Sequence, residues 1–84
     1  MNDQQTHTLQ LAITVKQNRT VLSRCLQTFS RRGFTLTALT TKNLEDGDAI
    51  LHCTLHGPQS WHTTLPQLLH KLIDVKKVEI VEAS

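Results

Sequence analysis

Five histidines and two cysteines are the side chains of this sequence best equipped to ligate a metal or to attack a carbonyl. Both chemistries need convergence. A structural zinc takes four ligands at about 2 Å, and a nucleophile needs a base within hydrogen-bond reach and a third group to orient it. His52 and His56 share one face of an alternating segment, but four residues at about 3.3 Å each hold them about 13 Å apart, too far to share an ion. Cys53 points to the opposite face, and two helical turns separate His62 from His70. Cys25 falls on an apolar helical stripe, and no serine stands in a strand–turn–helix elbow. The spacing therefore predicts no metal site, no catalytic set and no cofactor in this chain. Cys25 and Cys53 form no CxxC pair and read as small buried apolar side chains in a reducing compartment.

The elements that hold these residues follow from periodicity. Residues 8–16 alternate, with Leu9, Leu11, Ile13 and Val15 on one face and Gln10, Ala12 and Thr14 on the other, which predicts a half-buried strand. Asn18 and Thr20 offer capping oxygens before Val21, Leu22, Cys25, Leu26 and Phe29, an apolar stripe that predicts a helix over about 20–32. Arg31 and Arg32 oppose the negative end of its dipole, and Gly33 suits a left-handed cap. Phe34, Leu36 and Ala38 alternate with threonines in a second strand, about 34–44, and Asp46, Gly47 and Asp48 supply a turn. A third strand, 49–56, completes a hairpin before Gly57 and Pro58 break the chain. Ser60 then caps a second helix, in which Trp61, Leu65, Leu68, Leu69 and Leu72 recur to about residue 73. Pro66 sits inside this pattern, so the regular helix either starts near Thr64 or is kinked. Val78 and Ile80 alternate with Lys77 and Glu79 in a last strand, about 76–82.

The order β-α-β-β-α-β with right-handed crossovers is the α+β, ferredoxin-like arrangement: a four-stranded antiparallel sheet, strand order 4-1-3-2, with two helices on one face. The expected core is Leu9, Leu11, Ile13, Val15, Leu22, Leu26, Phe29, Leu36, Leu51, Cys53, Leu55, Leu68, Leu72, Val78 and Ile80. With 84 residues, 38% hydrophobic, the chain has room for one such core, expected as a single domain over 1–84 with its core at about 8–82. No apolar run approaches roughly 18 residues, and residues 1–8 hold no apolar signal segment. The expectation is a cytoplasmic protein that engages no membrane. A net charge of +2 is too small to argue for a phosphate-binding surface. The central-strand positions where RNA-binding domains of this strand order stack bases hold Gln10, Ala12, Thr14, Ile50, His52 and Thr54, so no nucleic acid is expected. Arg31 and Arg32, with Arg19 and Arg24 nearby, are candidate partner contacts on an otherwise solvated helix end.

The segment 18–39, NRTVLSRCLQTFSRRGFTLTAL, resembles the opening of the ACT domains of acetolactate (acetohydroxyacid) synthase regulatory small subunits. In that pattern, N-x-P-G-V-L-x-R-V-x-x-L-F-x-x-R-G-[YF]-N-I-x-S-L, Val21, Leu22, Arg24, Phe29, Arg32, Gly33, Phe34 and Leu39 match in register. The ending LLHKLIDVKKVEIV, 68–81, is similar to that family's second helix and last strand. The resemblance covers about 8–82 and, with no second domain before Ser84, points to the short form that accompanies the isozyme II type of synthase. It implies a non-catalytic regulatory subunit that binds and activates the catalytic large subunit in branched-chain amino-acid (valine, leucine, isoleucine) biosynthesis. That partner would hold thiamine diphosphate, FAD and magnesium. The alternative is a free-standing ACT-type amino-acid sensor controlling another enzyme or a transcription factor. The family binds its effector at the loop before the first helix, between two ACT domains, which makes Asn18, Thr20, Val21 and Leu22 the candidate effector site. The Pro-Gly of that loop is missing here, where Asn18-Arg19-Thr20-Val21 is one residue shorter, so binding is expected to be weak or absent. A homodimer is expected through the edge formed by Thr35, Thr37, Leu39 and Thr41, whose unpaired backbone groups invite a second copy.

Overall fold

The alternation of the first segment is realised as β1 (Thr6–Lys16) in a computed structural model that describes residues 6–16 and 20–83. Leu9, Leu11, Ile13 and Val15 are all buried, as period-two spacing requires. The next element, α1 (Val21–Arg31), buries Val21, Cys25 and Phe29 at positions i, i+4 and i+8. An isolated helix of 11 residues is marginal in water, so this stripe supplies its stability. Each fully buried Val, Leu or Phe side chain contributes about 1.5–3 kcal/mol.

Gly33 ends α1 with φ +80°. Its N–H donates to the Ser30 carbonyl at 3.1 Å and the Phe34 N–H donates to the Phe29 carbonyl at 2.9 Å. These are the paired bonds of a Schellman cap, and Phe29 and Phe34, at the two positions between which such a cap favours an apolar contact, are both buried in the core.

After the cap come β2 (Thr35–Asn43) and β3 (Asp48–Pro58), joined by a turn in which Gly47 takes φ +90°. The Leu44 N–H donates to the Asp48 carbonyl at 2.8 Å, and the Asp48 N–H to Asp46 Oδ1 at 3.0 Å. Gly57 and Pro58 do not break the chain. They complete β3 and pair with His7 and Thr6 of β1. Glycine is required there because a Cβ at residue 57 would overlap the Phe34 ring.

The region after β3 also departs from the sequence expectation. A 3-10 turn, Gln59–Trp61, contains Ser60 and Trp61, and α2 (Thr64–His70) begins only afterwards. Pro66 therefore falls in the first helical turn, where a missing N–H is tolerated. The helix stops at His70, short of residue 73, as the Lys71 and Leu72 amides tighten onto the Leu68 and Leu69 carbonyls at 3.2 and 3.0 Å. So short a helix turns Leu65 and Leu69 fully into the core and leaves Leu68 and Leu72 half-buried. The last strand is β4 (Val75–Ala83).

The sheet order is β2-β3-β1-β4, antiparallel throughout, the ferredoxin-like order expected. Two expected core residues are exposed: Leu26 at 37% and Ile80 at 48%. Leu26 lies about 100° round the helix from Cys25, and Ile80, opposite Leu11, sits on an edge strand with a neighbour on one side only. Leu22, Leu36 and Val78 pack against the core while partly exposed.

The register of β2 shifts between Leu36 and Ala38. Leu36 opposes Leu55, but Ala38 opposes Thr54 and Leu39 opposes Cys53. The extra residue of this bulge, Thr37, moves Ala38 to the open face and Leu39 to the helix side, the reverse of strict alternation.

Candidate functional site

Three places hold the residues singled out from sequence: the start of α1, its end, and the β2 edge. At the start, Thr20 is the N-cap in a near-helical conformation, φ −99° and ψ −17°, without a side-chain capping hydrogen bond. An N-cap ordinarily takes extended backbone to turn its oxygen onto the first amides. Asn18 lies outside the described residues, as does Arg19. Val21 is buried and Leu22 half-buried, so both serve the core and Thr20 is the exposed member of the set among the described residues.

At the other end, Arg31 is exposed and Arg32 half-buried. Together with Thr28, one turn earlier, and Leu68 of α2, they line a cleft of about 130 Å³ between the helices. Sequence reasoning found the arginines. It missed Thr28, which the i+3 and i+4 spacing to Arg31 and Arg32 could have flagged, and Leu68, which joins from another element.

On the β2 edge the bulge divides the four residues expected together. Thr35 opposes His56 on the open face, whereas Leu39 and Thr41 oppose Cys53 and Leu51 on the helix side. Thr37 donates its hydroxyl hydrogen to the Thr54 carbonyl at 3.3 Å. Leu39 stays 37% exposed, and so does Leu26 of α1.

Burial pushes the Cys25 thiol up to about 11, and burial together with the neighbouring Cys25 pushes Cys53 up to about 12. Neither is a thiolate near neutral pH. His52 is exposed on the open face, and His56 Nδ1 lies 3.2 Å from Thr8 Oγ1. The His62 ring is buried, with only 7% exposed. It sits edge-on to His7 at 5.8 Å between ring centres and 6.0 Å from Phe34. Burial first and the His7 charge second lower its pKa below 6.5, against a hydrogen bond with the Gly57 backbone that raises it. Among the described residues no three His, Cys, Asp or Glu side chains are placed to hold one metal ion, and no helix is long and apolar enough to cross a membrane.

No family model matches the sequence, and a search of curated proteins finds no significant match. Solved structures do share the fold. The crystal structure of the ACT domain from GTP pyrophosphokinase of Chlorobium tepidum superimposes with a TM-score of 0.71 at 17% identity, covering 88% of this chain and 96% of that one. Its solution structure gives a TM-score of 0.71 over 92% of this chain and 88% of that one, again at 17% identity. The C-terminal domain of the MgtC protein from Mycobacterium tuberculosis gives 0.76 at 18% identity, covering 100% of this chain and 94% of that one. The chain thus has the ferredoxin-like fold of ACT domains.

Proposed function

We propose that this chain is a non-catalytic regulatory small subunit. It binds and activates the thiamine-diphosphate-dependent catalytic subunit of acetolactate synthase in the cytoplasm. The observation that carries this reading is the coincidence of motif and geometry at the α1–β2 junction. The segment that resembles the synthase small subunits ends in Arg31-Arg32-Gly33-Phe34, and in an ACT-type fold those residues form a Schellman cap with Gly33 at φ +80°. The apolar matches are ones that any such fold needs, whereas the arginines before the glycine are not demanded by the cap. Thiamine diphosphate, FAD and magnesium belong to the catalytic partner.

The chain acts as a homodimer whose β2 edges pair into one eight-stranded sheet. Leu39, 37% exposed on β2, supports this, because an apolar side chain on an open sheet edge suits cover by a second copy. A free-standing ACT-type sensor is the second reading, favoured by the likeness to an ACT domain of a different enzyme. Adjacency of the gene to one for a large synthase subunit separates the two.

The test is pyruvate conversion to acetolactate by the candidate catalytic subunit, with and without this chain. The rate should rise with added chain to saturation, and the chain alone should form no acetolactate. Equal rates across the titration would sink the reading. Arg32→Ala should weaken activation if the α1 end meets the partner.

A further inference from the structure

The helix layer is charged with one sign only. All seven Asp and Glu of the chain lie outside α1 and α2. Arg24, Arg31 and Arg32 on and beside α1, with Lys71 at the end of α2, make this layer positive in a chain whose net charge is only +2. The acidic residues lie in the β2–β3 turn and at the start of β3, in and just before β4, and at the N-terminus, so the acids are kept off the helices while the strands carry both signs.

Within this layer, the cleft lined by Thr28, Arg31, Arg32 and Leu68 has a volume of about 130 Å³. Small-molecule sites measure roughly 300–1,000 Å³, so a nucleotide or cofactor does not fit, whereas a single short side chain does. The Thr28 hydroxyl donates to the Arg24 carbonyl at 2.9 Å, and Arg31 and Arg32 bring the cationic groups to the lining. A guanidinium is a planar fork that matches a carboxylate with two parallel hydrogen bonds. The Phe29 and Ser30 carbonyls at this helix end are taken up by the Arg32, Gly33 and Phe34 amides, which reduces their repulsion of an anion. Leu68 supplies an apolar wall against which methylene groups of an acidic side chain can lie.

We propose that this cleft receives the carboxylate of one Asp or Glu side chain on an acidic face of a partner protein. The partner's identity rests on the preceding reading, under which it is the catalytic subunit. The cleft itself does not depend on it.

Two measurements separate the claims. In the first, an isotope-labelled full chain is titrated with sodium acetate against sodium chloride at matched ionic strength and followed by NMR. Saturable shifts should be confined to the amides of Thr28, Arg31, Arg32 and Leu68 and to the arginine side-chain N–H signals. They should vanish in Arg31→Gln/Arg32→Gln, a variant whose remaining spectrum shows it folded. Shifts no larger than those in chloride, or spread equally over Arg24 and Lys71, would overturn the cleft.

In the second, affinity for the catalytic subunit is measured. The double variant should bind at least about tenfold more weakly, and Arg24→Gln, outside the cleft, should change affinity less than about twofold. Acetate binding with subunit affinity unaltered in the double variant would overturn the protein partner and leave a small free acid as the ligand. If the wild-type chain fails to bind the subunit at all, the proposed function falls, and the acetate titration alone decides the cleft.

Discussion

The two edges of the sheet are built by opposite rules. β4 carries Lys76, Lys77, Glu79 and Glu82 in its nine residues and departs from regular register twice against β1. β2, of the same length, carries one charge, Lys42, amid threonines, and has one bulge. Charges and bulges are how edge strands resist pairing with another chain. The Lys77–Glu79 contact at 3.3 Å contributes little to stability because both groups are exposed. These charges make more sense as a barrier to a neighbouring strand. The contrast favours β2 over β4 as the edge through which the proposed homodimer would extend the sheet, with Leu39, exposed on β2, as the apolar side chain it would cover. By the same logic the exposed Val81 on β4 serves as the control position.

The largest effect expected comes from loosening one edge at its root. Phe34, immediately before β2, lies against Gly57 of β3 with no room for a Cβ. Gly57→Ala should therefore destabilise the fold by about 1–3 kcal/mol, the usual cost of overpacking a core. Hydrogen exchange should quicken along the β2–β3 ladder before it quickens along β1–β4. Uniform acceleration of both edges would break the claim that β2 is anchored through this contact.

Next comes a direct comparison of the edges. Leu39→Glu should raise the dimer dissociation constant about tenfold or more, which corresponds to about 1.4 kcal/mol, by placing a carboxylate where an apolar side chain is to be covered. Val81→Glu on β4 should leave dimerisation unchanged. Sedimentation equilibrium at micromolar concentration measures both. A wild-type chain that stays monomeric as concentration rises would remove the dimer, and a Val81→Glu monomer would reverse the assignment of edges.

These differences also mark where sequence reading succeeds. Period-two and helical spacing located β1 and α1 because one periodic signal decided each of them, and the glycine after the arginines located the Gly33 cap. The β2 bulge was not legible: Leu36, Ala38 and Leu39 fit either face, and a one-residue slip exchanges faces without altering composition. Gly57 and Pro58 look like chain breakers, yet they finish β3, because the Phe34 ring needs a residue without a Cβ and a proline is tolerated at a strand end. Trp61 and Leu68 suggested a longer second helix, but the 3-10 turn displaces its start and rotates Leu65 and Leu69 inward. Burial at edges was misjudged for a related reason. Ile80 is on the correct face, but exposure there depends on which neighbour covers it. Of the candidate sites, Arg31 and Arg32 were visible as a charge pair. The cleft was not, since α2 completes it.

Titration should separate the ends of the sheet by pH. Asp48, buried at the start of β3, accepts a hydrogen bond from Lys76 Nζ of β4 at 2.7 Å. That bond, with the charges of Asp48 and Asp46, raises the Lys76 pKa above its usual 10.5. The stabilisation is complete below pH 10.5 and is lost as pH rises through the raised value. His62, near the opposite end of the central strands, has a pKa lowered below 6.5. The unfolded chain therefore binds that proton more readily, and stability falls as pH drops from 6.5 toward the lowered value. Thermal unfolding should show a plateau between these limits. Lys76→Met should flatten the alkaline limb and His62→Gln the acid limb above pH ~5, where carboxylates stay ionised. A limb unchanged in its own variant would remove that group from the account.

The smallest effect expected is in amino-acid binding, which under the proposed function would also depend on the β2 pairing, since in the resembled family the effector sits between two ACT domains at the loop before α1. There a Pro-Gly leaves helix-start amides open to the effector's carboxylate, aided by the positive end of the dipole. This chain places Thr20 at the N-cap, adding a Cβ and a methyl where glycine would leave space, and holds it in a near-helical conformation. Val21 and Leu22 are drawn toward the core. Valine, leucine and isoleucine should therefore bind weakly or not at all. Titration calorimetry on the dimer decides it. A dissociation constant below about 100 μM, more than about 5.5 kcal/mol of binding free energy, would show that the altered loop still makes a site. If such binding also disappeared in Leu39→Glu, the site would lie at the β2 interface, and this edge would serve both assembly and sensing.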